Sequence, residues 1–192
     1  MPDPVLPGIP PEAMPDDLRA AWKSSVALRG DATFFEVFAH HPDLFRWYVQ
    51  SFYGDVFRSG RVKQRYKELL RLRLSTLHGC RFCNQGNRQD ALSVGLTERE
   101  IAAMDDPADS VFSPADRAVL RLGKRLSLLA DQEPLEPDLM AALNEHFDEA
   151  QIIELGFIGS VLSGVAKFLF AFDLVEREDS CPFHPQGERH DG

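Results

Sequence analysis

The chain has 192 residues, 44% of them hydrophobic, enough to fill one sizeable core. Its formal net charge of -9 sets the summed field against phosphate backbones and anionic membrane surfaces, so neither nucleic acid nor a membrane is expected as a partner. The opening Met1-Pro2-Asp3-Pro4 lacks the basic and apolar regions of a secretory signal, and a cytoplasmic location is expected.

Residues 1–15 carry Pro2, Pro4, Pro7, Pro10, Pro11 and Pro15, which remove backbone donors and predict an extended arm lying on a neighbouring surface. Residues 16–178 read as helices. Asp16 to Leu28 runs to a stop at Gly30, and Thr33 to His40 is a short core-facing helix before Pro42. Pro42 opens a helix with Leu44, Phe45, Tyr48, Phe52 and Val56 at helical intervals, ending near Gly60. A basic run follows, Arg58, Arg61, Lys63, Arg65, Lys67, Arg71 and Arg73, and reads as a solvated or subunit-facing helix side.

The helix from about Val62 to Leu77 breaks at His78-Gly79, and Cys80 restarts the chain in a helix running to Val94, with Gly95 as a left-handed cap. Thr97 with Glu100 forms a capping box, and Ser113-Pro114 starts another helix reaching about Ala130. A short helix spans about Pro137 to His146, and Asp148 caps the last one. Ile152 to Phe172 is apolar enough to suggest a membrane span. Glu154, Lys167 and the glycines interrupt it, so a buried helix is the better reading. Gly156, Ser160 and Gly164 share a stripe that lets another helix approach, at the centre of a bundle or at a subunit interface. Residues 179–192 read as a flexible tail. The expected fold is all-α, a single helical-bundle domain.

The chemistry concentrates around Cys80 and Cys83. Three cysteines, two of them in a CxxC, do not make a secreted disulfide framework, and in a reducing compartment such a pair is more often catalytic or metal-binding. Both sulfurs fall in the first turn of a helix, where unpaired N–H groups and the helix dipole favour a thiolate, and Arg81 adds a cation. Two intervening residues let a disulfide close, so an oxidised sulfur can be resolved by its neighbour. Cys80, Cys83 and Asn87 lie on one helical stripe, but an amide carries no proton near neutral pH. Glu68, the only acid between Arg58 and Arg73, is the candidate base. His78 reads first as a helix-end residue satisfied by backbone, and second as a proton shuttle.

The bland alternatives stay open at this level: Glu68 paired on the surface with Arg65 or Arg71, Asn87 as an ordinary polar contact, and the cysteines in a structural or metal role. Cys181 and His184 would complete a zinc set of three cysteines and a histidine with Cys80 and Cys83. The long separation argues against it, and no metal or cofactor is expected.

In combination these residues resemble the alkylhydroperoxidase D and carboxymuconolactone decarboxylase family of helical proteins. The likeness runs from His41-Pro42-Asp43 through Glu68, the Cys80 to Gly95 helix, Thr97 to Ile101, Phe112 to Arg117 and Phe147 to Phe168. Glu68, Cys80 and Cys83 match the motif of the peroxidase branch, and Asn87 stands where that motif has a histidine. The resemblance implies a peroxidase of organic or alkyl hydroperoxides in which Cys83 attacks the peroxide, Cys80 resolves the product as a disulfide and Glu68 deprotonates Cys83 through water. It further implies a dithiol or lipoylated protein as reductant and a homo-oligomer, trimer or hexamer. Replacing a titratable histidine by Asn87 removes a member of the proton relay that the motif implies. The alternative functions are a non-redox decarboxylase, isomerase or lyase using Glu68 for proton transfer, and a non-catalytic redox-sensing or zinc-stapled protein.

Overall fold

A computed structural model describes residues 2–106, 108 and 110–178; the expected tail, with Cys181 and His184, lies outside the described residues. The helices are α1 (Asp16–Arg29), α2 (Thr33–Phe38), α3 (Pro42–Arg46), α4 (Gln64–His78), α5 (Arg81–Ser93), α6 (Glu98–Ala102), α7 (Pro114–Leu126), α8 (Pro137–Asn144) and α9 (Glu149–Ala171). Among the described residues there is no strand, only an isolated bridge between Cys80 and Arg177. The all-α expectation holds. The helix starts read at Thr97, Ser113 and Asp148 are in place; Thr97 forms the expected capping box with Glu100, and the structure adds Asp116 to Ser113 and Gln151 to Asp148 as further boxes.

Helix α4 is the spine, packed against α5, α7 and α9. Two apolar clusters share its surroundings. The larger joins α4, α7, α8 and the first half of α9 through residues such as Leu69, Leu120, Leu143 and Leu155. The smaller gathers Leu18, Phe34 and Phe45 from the N-terminal helices, Cys80 at the start of α5 and Leu169 from the far end of α9. Tyr48 packs against both, so the clusters meet at that residue.

The region after α3 departs from expectation. Trp47–Arg58 is wound as a π-helix rather than continuing the α-helix. In an α-helix, positions five apart lie about 140° apart around the axis, whereas hydrogen bonding from i to i+5 brings them together. Tyr48, Tyr53 and Arg58 are spaced by five, and all three face one cavity. The reading of Tyr48, Phe52 and Val56 at α-helical intervals missed this column.

Two further expectations are corrected. The basic run is a solvated side only in part: Arg58, Arg61 and Lys63 are exposed, but Lys67, Arg71 and Arg73 are buried. Each of the buried three has acidic or carbonyl partners inside the molecule. Lys67 Nζ meets Glu154 Oε1 at 2.6 Å and donates to the Val56 carbonyl, while Arg73 donates to Met104 O and Asp105. Of the two places expected for the stripe of Gly156, Ser160 and Gly164, the bundle centre is ruled out among the described residues, for open space surrounds Gly156 and Gly164. The close approach occurs at Gly159, where a Cβ would collide with Leu126 of α7.

Helix α9 is long and apolar enough to cross a membrane by length and composition. Here its face of Ile152, Leu155, Ile158, Gly159 and Ala166 is buried, while Ile153 and Phe157 point outward. The N-terminal arm lies on its own chain, with Ile9 N donating to Glu36 O of α2 and Val5 N to Phe172 O beyond α9.

Candidate functional site

Gly79 ends α4 with φ +60°, a left-handed turn, and the chain then enters α5 within two residues. Cys80 becomes the N-cap of α5, and its Sγ accepts a hydrogen bond from Cys83 N at 3.2 Å. The two cysteines are joined as a disulfide with Cα atoms 5.2 Å apart. They are unequal: Cys80 is 0% exposed, whereas Cys83 is half-buried. The last described segment clamps this turn from outside, Glu178 N donating to Gly79 O and Arg81 N to Glu176 O. The Arg81 side chain is drawn to Glu176 at 3.0 Å, so it is not among the residues facing the cavity on the sulfurs.

That cavity, about 280 Å³, opens at the seam between the two apolar clusters. Phe34, Phe35 and Phe45 form one wall, and Leu162, Val165 and Leu169 of α9 form another. Both cysteines, Asn87 and Asp90 line it from α5, so the stripe expected from sequence does face a common space. Asn87 is half-buried there.

Glu68 is buried, accepts from Gln64 Nε2 at 3.1 Å and meets Arg71 Nη2 at 2.5 Å. It does not itself line the cavity. Arg71 does, and the same Nη2 meets Asp90 at 2.6 Å. A chain Glu68–Arg71–Asp90 therefore connects the buried carboxyl to the helix that carries the cysteines. Burial outweighs the neighbouring guanidinium and holds the Glu68 carboxyl above the usual carboxylate range.

His78 lines the cavity, and its Nε2 accepts from Leu128 N at 3.1 Å. Burial pushes the imidazole down to about 4. It is neutral around pH 7, with the acceptor nitrogen engaged by backbone.

Several residues of the site escaped sequence reading. Arg29 of α1 stacks on the Phe82 ring at 4.6 Å and donates from Nε to Phe82 O at 3.1 Å. It fits only because residue 86 is glycine, since a Cβ there would strike the Arg29 guanidinium. Tyr53 stands between Arg58 and Arg71, whose guanidinium carbons lie 5.6 and 5.8 Å from its ring centre. The five-residue spacing of Tyr48, Tyr53 and Arg58 was the available signal. Nothing in the sequence joined Arg29 to Gly86.

Fold and site thus define an all-helical protein with a disulfide-forming pair at an aromatic cavity. Residues 42–125, somewhat under half of the chain, match the model of the carboxymuconolactone decarboxylase family. The uncharacterized protein YdfG of Bacillus subtilis is 30% identical over 98 residues, a stretch covering 50% of this chain and 66% of that protein. Two crystal structures share the fold over nearly the whole chain. One is the alkylhydroperoxidase AhpD core of an uncharacterized peroxidase-related protein from Ralstonia eutropha, with a TM-score of 0.64 and 18% identity over 93% of this chain and 94% of that one. The other is a cysteine-to-alanine variant of the debrominase Bmp8 in complex with 2,3,4-tribromopyrrole, with a TM-score of 0.68 and 15% identity over 92% and 93% of the two chains.

Proposed function

We propose that the chain is a thiol-dependent peroxidase that reduces organic or alkyl hydroperoxides through Cys83 and Cys80. The observation that carries this reading is the asymmetry of the pair. Both cysteines line the cavity, but Cys83 is the more exposed one, and its buried partner Cys80 is one helical turn away, within bonding reach.

In this mechanism the Cys83 thiolate attacks the outer peroxide oxygen and the O–O bond breaks. Cys83 becomes a sulfenic acid, and the alkoxide takes a proton to leave as an alcohol. Cys80 then attacks the Cys83 sulfur, closing the disulfide and releasing water. An external dithiol, a small molecule or a lipoylated protein, returns both sulfurs to thiols by exchange, which suits a cytoplasmic location. Glu68 takes the Cys83 proton through water and the Arg71–Asp90 side of the site, its carboxyl raised above the usual carboxylate range by burial. Asn87, in the position of the motif's histidine, orients water or peroxide oxygen without carrying the proton. A second copy of the chain covers the outward apolar residues Ile153, Phe157 and Trp47, which sedimentation velocity would reveal as a homo-oligomer.

The test is consumption of cumene hydroperoxide by the reduced protein with dihydrolipoamide, with the cysteine state mapped by mass spectrometry. Cys83→Ser abolishes turnover, and Cys80→Ser lets Cys83 run on to sulfinic acid. Turnover surviving Cys83→Ser refutes the mechanism.

A second reading, dehalogenation of a halogenated ring in the same cavity, is supported by the aromatic wall and by the bromopyrrole held in the debrominase structure. Bromide release from 2,3,4-tribromopyrrole, without peroxide consumption, would favour it. Turnover of a carbonyl substrate indifferent to thiol alkylation would instead favour proton-transfer chemistry by Glu68.

A further inference from the structure

The charge of the cavity opposes that of the chain. The protein carries -9, yet Arg29, Arg58 and Arg71 face the cavity against one carboxylate, Asp90, and His78 is neutral. Arg71 is matched by Asp90 and by Glu68 behind it. Arg29 is occupied by the carbonyl and ring of Phe82. Arg58 is different. It is exposed at the edge of the cavity, stacked on the Tyr53 ring, and among the described residues no carboxylate lies within ion-pair distance of it.

A guanidinium laid on an aromatic face keeps its donor edge free for a planar anion, and carboxylate geometry matches that fork. The π-helix is what turns Arg58 to this position, in line with Tyr48 and Tyr53. The cavity's volume is at the small end for ligand pockets, typically about 300–1,000 Å³, so its occupant is compact. One unmatched guanidinium near the Asp90 carboxylate suits a monoanion better than a dianion.

We infer that the substrate is a small organic acid: its carboxylate binds Arg58 beside Tyr53, its apolar body lies on the phenylalanine wall, and its reactive end reaches Cys83. The reactive end rests on the peroxidase reading, whereas the anion subsite stands apart from it. Arg58 is then the specificity-determining residue.

The experiment has a binding arm and a turnover arm. In the first, 4-isopropylbenzoate and its neutral counterpart 4-isopropylbenzamide are titrated calorimetrically into the full-length disulfide form at low salt. The expected result is at least tenfold tighter binding of the benzoate, weakened by added salt. The preference falls to about one in Arg58→Gln and reverses in Arg58→Glu. Since Arg58 is exposed, circular dichroism of both variants should match that of the parent. In the second arm, kcat/KM for cumene hydroperoxide bearing a para-carboxylate exceeds that for cumene hydroperoxide itself, and the ratio collapses in Arg58→Gln through KM. Equal binding of acid and amide, absence of benzoate binding, or a preference that survives Arg58→Gln overturns the inference. Acid-selective binding without peroxide consumption keeps the subsite and rejects the peroxidase reading. Peroxide consumption without acid preference does the reverse.

Discussion

Replacing Lys67 by methionine removes a positive charge from a position with no access to water. Lys67 is 0% exposed, and its Nζ bridges Glu154 Oε1 and the carbonyl of Val56 near the end of the π-helix. Without it Glu154 keeps two donors, Arg61 N at 2.7 Å and Val62 N at 3.1 Å, and a side chain 11% exposed. Breaking one side of a buried ion pair costs about 3–5 kcal/mol. The surviving backbone donors place this case at the lower end, about 3 kcal/mol. For a chain of this size that lowers Tm by about 6–12 °C. Urea denaturation of Lys67→Met, Glu154→Gln and the double variant forms the measurement, and the double variant should recover much of the loss. Burial raises the Glu154 carboxyl, but its hydrogen bonds to Lys67 and the two amides outweigh this and hold it below the ordinary range. Its contribution is therefore present above the unfolded-state value and disappears as pH falls through the folded one, a dependence that Lys67→Met should weaken. A loss for Lys67→Met below about 1 kcal/mol, the range of exposed pairs, would refute the argument.

Other predictions follow from single side chains. His78 is neutral in the fold down to about pH 4, against 6.5 for an ordinary imidazole. The unfolded chain therefore binds the proton first, and stability should fall by about 3 kcal/mol as pH drops across that interval, then level off; His78→Gln should flatten this part of the curve in urea titrations at successive pH values. Gly86→Ala sets a helix-propensity gain of about 1 kcal/mol against displacement of the Arg29 guanidinium. It should be neutral or destabilising in the parent but stabilising in an Arg29→Ala background; stabilisation of equal size in both would contradict the contact.

The helices were legible where local rules decide them. Thr97 with Glu100, the Ser113-Pro114 start and the break at His78-Gly79 are decided over three or four residues, so their reading carried over into the fold. Cys80, Cys83 and Asn87 reached a common cavity for the same reason: they belong to one helix. What failed depends on partners distant in sequence. Lys67 looked solvated because its carboxylate is supplied by residue 154, and Gly159 rather than Gly156 meets α7 because the rotation of α9 is set by packing. The π-helix escaped because its side chains also satisfy an α-helical apolar pattern. Only the tertiary fold selects the wider winding.

The disulfide spans a sequence separation of only 3 residues. In the chain-entropy model, a ring that small restrains the unfolded chain by only about 2 kcal/mol. The turn around it is also fixed by backbone bonds from Glu176 and Glu178, which do not involve sulfur. The covalent link is thus thermodynamically almost separate from the scaffold, so the sulfurs can change oxidation state while the helices around them remain folded.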